Sequence, residues 1–307
     1  FCIYEIIMSP RLHKIIYGFH PHNFGQTRRW GGWRPVVFME HGLMVGMWMS
    51  TACLAGWHLL RTGQLSKLLH KQGLLVVLCL FAVTILCKST GALLLLILGL
   101  FTLRIAIQWK KRFPLVIISL LPVCYIILRI SGLWTAQDSS EILLKYLPEE
   151  RVESLIFRFD NEDILMAKAK LQPYFGWGRW RRSFVYNESG KASVPDGMWI
   201  LIFGQNGYIG LIALFMALLL PQLLALRRYP PASWEKNPNV KVAISLILLL
   251  GLFTIDGLLN NMYNPMATVI SGGLASLCIL RDKQTFEKPQ INQSISNLQK
   301  ENSLRLI

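Results

Sequence analysis

The sequence has little acid. Its 17 Asp and Glu stand against 32 Lys and Arg, and charged residues of either sign make up only 16% of the chain. A formal charge of +15 would suit a nucleic-acid-binding protein if it were gathered into a basic domain. It is not gathered. Lys and Arg fall in short segments between apolar runs, the pattern of basic loops beside membrane spans, and this excludes nucleic acid as the partner. The six cysteines (Cys2, Cys53, Cys79, Cys87, Cys124 and Cys278) show no paired spacing, and most lie in apolar runs where cysteine acts as a small hydrophobe. They indicate neither a disulfide framework nor a metal site. Histidine is absent after His70, and no internal repeat recurs at a fixed period, which weighs against an inverted-repeat transporter. The chain begins Phe-Cys-Ile-Tyr without an initiator methionine or the charged start of a signal peptide, so we expect further spans upstream.

What is abundant is apolar sequence. The hydrophobic share is 53% and mean hydropathy is +0.40, concentrated in runs of the length that a bilayer core requires. The chain reads as an all-α, polytopic transmembrane helix bundle of about seven spans: 36–60, 73–88, 91–109, 113–131, 197–226, 242–259 and 262–280. The second and third cannot be one helix, because 37 residues at about 1.5 Å each would far exceed a hydrocarbon core of about 30 Å. Lys88-Ser89-Thr90-Gly91 therefore marks a tight turn at a membrane surface.

Basic residues fix the orientation. Arg61, Lys67 and Lys71; Lys110, Lys111 and Arg112; Arg227, Arg228, Lys236 and Lys241; and Arg281 with Lys283 alternate along the chain so that all lie on one side, which the positive-inside rule assigns to the cytoplasm. The C-terminus is then cytoplasmic, and the polar tail 281–307 is expected to be disordered. The other face carries the segment 1–35, the turn at Lys88, the long loop 132–196 and the turn 260–265. Within the loop, acid and base nearly balance, and apolar spacing predicts helices over Ser140–Leu147 and Glu150–Leu171, lying on the membrane surface over the bundle.

Four groupings on that face carry candidate chemistry. Arg28-Arg29-Trp30-Gly31-Gly32-Trp33-Arg34 runs into a span that opens with Glu40 and His41. Arginine beside aromatics is commonly an interfacial anchor, whereas ionisable groups inside a span usually face a partner or a watery cavity. Arg158 belongs to Arg-Phe-Asp-Asn-Glu-Asp, where a pair with Glu162 at i, i+4 is the plainest role. Pro173-Tyr-Phe-Gly-Trp-Gly178 precedes Arg179, Arg181 and Arg182. Glycine permits close backbone approach to a ligand, and clustered guanidiniums suit a phosphate. Last, Asp196 stands at the start of the fifth span, where a carboxylate would cap the helix.

The order of these pieces resembles the O-antigen ligase and O-antigen polymerase superfamily of bacterial surface-polysaccharide enzymes. The matching parts are the Arg34–Gly42 entry, the Lys88–Gly91 turn, a long loop with Arg158 and then Pro173–Gly178, and a fifth span with Gly207 and Gly210. The resemblance spans most of residues 1–226. It implies transfer of a glycan from a polyprenyl-diphosphate donor to an acceptor hydroxyl at the outer face of the bacterial inner membrane, without a metal or cofactor. Members carry more spans than are present here. Ligases generally place a histidine in the long loop near the next span, but Asp196 occupies that place, which favours a polymerase or another polysaccharide-assembly member.

The reading that follows from the resemblance puts the donor diphosphate on Arg34 and Arg158 with Arg179 or Arg181, and gives Asp196 the acceptor proton, with Glu40 or His41 as alternative acid or base. A lipid-linked oligosaccharide flippase, or an assembly scaffold without activity, competes with it. The flippase would want charge near the midplane of several spans, and the sequence places Arg104, Arg129 and Asp256 towards span ends.

Overall fold

The structure is a computed structural model that describes residues 1–65, 72–135, 149–234 and 237–279. The expected helix Ser140–Leu147 and the tail after Arg281 lie outside the described residues. Ten helices follow in chain order among the described residues: α1 Cys2–Met8, α2 Leu12–Tyr17, α3 Gly42–Arg61, α4 Gly73–Leu86, α5 Thr90–Trp109, α6 Phe113–Ser131, α7 Glu149–Ala169, α8 Met198–Arg228, α9 Pro238–Leu259 and α10 Pro265–Ile279. A two-residue antiparallel pair, Arg28–Arg29 with Gly32–Trp33, is the one small sheet among them.

Five helices are long and apolar enough to cross a membrane: α3, α5, α6, α8 and the stretch Asn239–Leu259 of α9. The remaining two expected spans form the shorter apolar helices α4 and α10. At about 1.5 Å per residue, the 14 residues of α4 reach only some 21 Å. The expected division between the second and third spans holds: α4 ends at Leu86, Lys88 turns with φ +52°, and α5 begins at Thr90.

The bundle is built around α9. Two-thirds of its apolar window (67%) is buried, against 33–44% in the other four long helices, so α9 is the central post. Ala243, Ile244, Ile247, Leu248 and Leu250 anchor its core, with Leu54, Leu96 and Ile118 from the surrounding helices. The outer helices turn large apolar side chains outward, among them Leu94, Ile97, Phe101, Ile127 and Ile212, as a bilayer-facing surface requires.

Helix α7 follows the expected apolar spacing but does more than lie over the bundle. Leu165, Met166 and Ala169 join Ile126 of α6, Trp199 and Phe203 of α8 and Leu258 of α9 in a second core cluster. Hydrogen bonds define the two ends of the bundle. Arg34 Nη2 donates to Lys88 O (2.9 Å), Arg158 Nη1 to Leu259 O (3.3 Å) and Asn261 Nδ2 to Pro195 O (2.5 Å) at one end. Lys241 Nζ donates to Thr62 O (3.3 Å) and Arg112 Nη2 to Arg227 O (3.2 Å) at the other. The segments that the charge pattern grouped on one face thus gather at one end of the bundle.

Candidate functional site

The N-terminal segment supplies one wall. Glu5 is fully buried in α1, and its carboxylate accepts from the backbone N–H groups of Leu12 (2.9 Å), Val36 (2.8 Å) and Val37 (2.6 Å). That clamp turns the chain at Val37, which takes φ +54°, and keeps residues 36–41 out of the helix. Lys88 reaches back from the α4–α5 turn, donating to Arg29 O (3.0 Å) and Trp30 O (3.3 Å). Arg34 lies between these parts, 5% exposed, with its stem against Gly42 and its guanidinium on Lys88 O.

Glu40 and His41 are therefore not inside a span, contrary to the sequence reading. Glu40 is exposed in a turn, and His41 is the N-cap of α3, its Nδ1 accepting from Leu43 N–H at 3.1 Å. A neutral imidazole that accepts at Nδ1 carries its proton on Nε2, which faces Gln26 Oε1 at 3.4 Å. Burial, then the charges of His22, Arg34, Arg29 and Arg158, push the His41 ring down to about 3. The ring is thus neutral at ordinary pH and presents an N–H.

Helix α7 supplies the second wall. Arg158 does not pair with Glu162 as its spacing suggested. Glu162, 1% exposed, turns instead towards Arg129 of α6 (Nε to Oε2, 3.3 Å) and accepts from the Tyr125 hydroxyl (2.7 Å) and the Trp199 indole (3.1 Å). Arg129 also meets Asp163 at 2.9 Å and donates to Phe159 O and Trp134 O at 3.1 Å each. Burial pushes the Glu162 carboxyl up to about 7, while Tyr125, Arg129 and Trp199 pull against it. The network fixes α7 across α6 and α8, and Arg158, one turn before Glu162, is delivered to the end of α9.

There the charge of Arg158 reaches the predicted acid without an ion pair to it. Burial raises the Asp196 carboxyl above the ordinary carboxylate range, and the positive charge of Arg158 opposes the rise. The same guanidinium acts electrostatically on His41 and on Asp256, near the end of α9. Asp196 does not cap α8. The N-cap is Gly197, without a side-chain cap bond, and Gly197 is pressed against Leu258 O and Glu162 Oε1. The Asp196 carboxylate is left to its half-buried setting beside Arg158.

The glycine-rich loop has a structural task. Trp177 N–H donates to Gly204 O (2.9 Å), Gly178 N–H to Gln205 O (2.8 Å), Tyr208 N–H to Pro173 O (2.7 Å) and Ile209 N–H to Tyr174 O (3.3 Å). Loop 173–178 thereby docks its backbone into a break in α8, where Gly207 has φ +64° and ψ −162°. Breaking a membrane helix strands backbone groups, and the loop satisfies them. Arg179 and Arg181, which follow this loop, are exposed, and Arg181 takes φ +68°.

Arg34, His41, Arg158 and Asp196 thus share one end of the bundle, with Arg158 coupled to Asp196 and both arginines coupled to His41. Arg179 and Arg181 are not among the charges that bear on Asp196 or His41. The sequence reading missed Arg129, Glu162, Tyr125 and Trp199 as a unit and missed Glu5 altogether. The one available signal was Glu162 itself, an acid on the apolar stripe Val152, Phe159, Met166, Ala169. Among the described residues no cluster of three or more His, Cys, Asp or Glu could hold a metal ion. No protein family, curated protein or solved structure matches this chain.

Proposed function

We propose that the chain is a membrane glycosyltransferase of the O-antigen ligase and polymerase type. It would act at the outer face of a bacterial inner membrane with its C-terminus in the cytoplasm. The donor is a polyprenyl-diphosphate-linked glycan and the acceptor a sugar hydroxyl of a second glycan. The observation that carries the reading is a half-buried carboxylate, Asp196, within the electrostatic reach of Arg158, whose guanidinium is held on Leu259 O at the same end of the bundle as Arg34 and a neutral His41.

In the reaction, the acceptor oxygen attacks the anomeric carbon as Asp196 takes the hydroxyl proton. The bond from that carbon to the diphosphate oxygen breaks, and the electron pair leaves with the polyprenyl diphosphate. Fixed positive charge on Arg158 and Arg34 stabilises the oxygen on which negative charge grows. Burial that raises the Asp196 carboxyl also makes it a stronger base than an exposed aspartate. With its proton on Nε2, His41 serves as a hydrogen-bond donor to substrate oxygen in place of the base considered from sequence. Arg179 and Arg181, exposed at the rim, first meet the headgroup.

Removing one such charge should slow transfer about 100-fold or more. The test is Arg158→Ala at matched expression, with polymer and lipid-linked intermediates both analysed. Accumulated lipid-linked units with little polymer support the enzyme. Unchanged polymer would refute it, and units trapped on the cytoplasmic leaflet would point to a flippase.

A further inference from the structure

The opposite end of the bundle holds two adjoining cavities that the proposed chemistry does not use. The larger, about 500 Å3, opens between α3, α4 and α5 and is walled by Trp57, Leu78, Phe81 and Phe101, with His58, Arg61 and Arg104 towards its basic end. The smaller, about 230 Å3, shares His58 and Arg61 and adds Lys241 and Trp234. With 20 residues at about 1.5 Å each, α3 separates this end from Arg34 by roughly the thickness of a hydrocarbon core.

The walls and the end of the larger cavity differ in kind. Trp57, Phe81 and Phe101 are 42%, 45% and 61% exposed on the bilayer-facing surface, so the cavity is entered sideways from hydrocarbon. Among the described residues its end carries cations and no acid: Arg61 and Arg104 line the larger space, Arg61 and Lys241 the smaller, and no described Asp or Glu lines either. Between them His58 is 3% exposed, and its Nε2 makes no hydrogen bond of ordinary geometry, although the Lys241 backbone lies near the ring. Arg61, Arg104 and Lys241 bring several charged donors to the adjoining ends of the two spaces, an arrangement that suits an anionic oxygen acceptor.

We infer that this end of the bundle binds an anionic phospholipid, with an acyl chain in the cavity between α3, α4 and α5 and the phosphate among Arg61, Arg104, Lys241 and His58. Basic pockets between membrane helices suit such headgroups, because the phosphate accepts from several donors while the tail keeps its apolar surroundings. A combined volume of about 500 and 230 Å3 falls in the range of ordinary ligand sites, about 300–1,000 Å3. The inference does not depend on the glycosyltransferase reading, since its residues stand at the other end of the bundle.

The test uses the full chain in nanodiscs or detergent, titrated with phosphatidylglycerol, phosphatidylcholine and inorganic phosphate. Bound lipid is counted by native mass spectrometry. Phosphatidylglycerol should be retained in preference to phosphatidylcholine, and Arg61→Gln with Arg104→Gln should weaken its retention about 10- to 30-fold while leaving phosphatidylcholine unchanged. Both arginines are solvent- or lipid-exposed, so the double variant should fold. Independently, a brominated phosphatidylglycerol should quench fluorescence that disappears in Trp57→Phe. Equal retention of the two lipids, no change in the double variant, or no quenching assigned to Trp57 would overturn the site. Inorganic phosphate that competes fully at millimolar concentration would make it a site for free phosphate and overturn the lipid assignment.

Discussion

Arg129 and Glu162 meet at 3.3 Å, each about 1% exposed, and join a membrane-length helix to the helix that carries Arg158. An ion pair taken this far from water gains little over a well-packed apolar pair, but breaking it leaves one charge stranded. Arg129→Met alone should therefore lower stability by about 3–5 kcal/mol and Glu162→Gln by less, because Arg129 keeps Asp163, whereas Arg129→Met with Glu162→Met should lose markedly less than Arg129→Met alone. Thermal unfolding of the three variants in one detergent decides it. A double variant as unstable as the sum of the singles would mean that the network acts through Tyr125, Trp199 and Asp163 and not through the charge pair.

The spans could be read from sequence because a bilayer imposes long apolar runs, and α7 could be read because Val152, Leu155, Ile156, Phe159, Leu165 and Ala169 recur at helical spacing. Glu162 sits on that same stripe, yet its local spacing pointed to Arg158. Its true partner lies 33 residues away in another helix, and no local pattern encodes that distance. The misplacement of Glu40 and His41 has the same origin: the turn that keeps them out of α3 is set by Glu5, 31 residues before Val36. Gly207 was legible as a glycine in an apolar span, but the break there exists because loop 173–178 docks on it. Arg34, Arg158 and Asp196 drew notice in the sequence because ionisable groups at or inside spans are costly enough to stand out.

The coupling of Arg158 to Asp196 gives a pH signature. In the proposed mechanism Asp196 acts as the carboxylate, so activity should fall as pH drops through its raised pKa. Arg158 holds that pKa down against burial, so removing its charge lets the pKa climb. The residual activity of Arg158→Gln should show its acidic limb at higher pH than the parent, and Asp196→Asn should abolish the limb together with most of the rate. The pH profile of glycan transfer in membranes measures both. An acidic limb that stays in place in Arg158→Gln would place the base elsewhere.

Glu5 should matter to a site that it does not touch. Its carboxylate satisfies three backbone donors, one buried and two partly buried, and two of them, Val36 and Val37, follow Arg34 directly in the chain after Pro35. In Glu5→Gln the amide group can accept at only one atom and turns N–H towards donors, so about 1–3 kcal/mol is lost for each donor left unsatisfied. The expected result is faster proteolysis within residues 18–36 and a fall in transfer rate, with the core of the bundle intact by circular dichroism. Protease resistance equal to the parent's would show that the clamp is dispensable.

The break in α8 gives the sharpest steric prediction. Gly207 combines φ +64° with a carbonyl, that of Tyr174, which stands 2.3 Å from where a Cβ would be. Alanine there faces two costs, an unfavourable backbone and a clash with backbone that cannot swing aside, so the loop must leave the helix. Gly132 ends α6 at φ +76° with nothing within 4 Å of its would-be Cβ. Gly132→Ala should then cost only the backbone term, about 1 kcal/mol, while Gly207→Ala should exceed it several-fold and expose loop 173–178 to protease. Because Arg179 and Arg181, the proposed donor contacts, follow that loop directly in the chain, Gly207→Ala should also weaken donor binding more than it slows turnover at saturating donor. Measured stability, cleavage at 173–178 and the split between KM and kcat test the point together. Equal losses in the two variants would mean that α8 closes its own break without the loop.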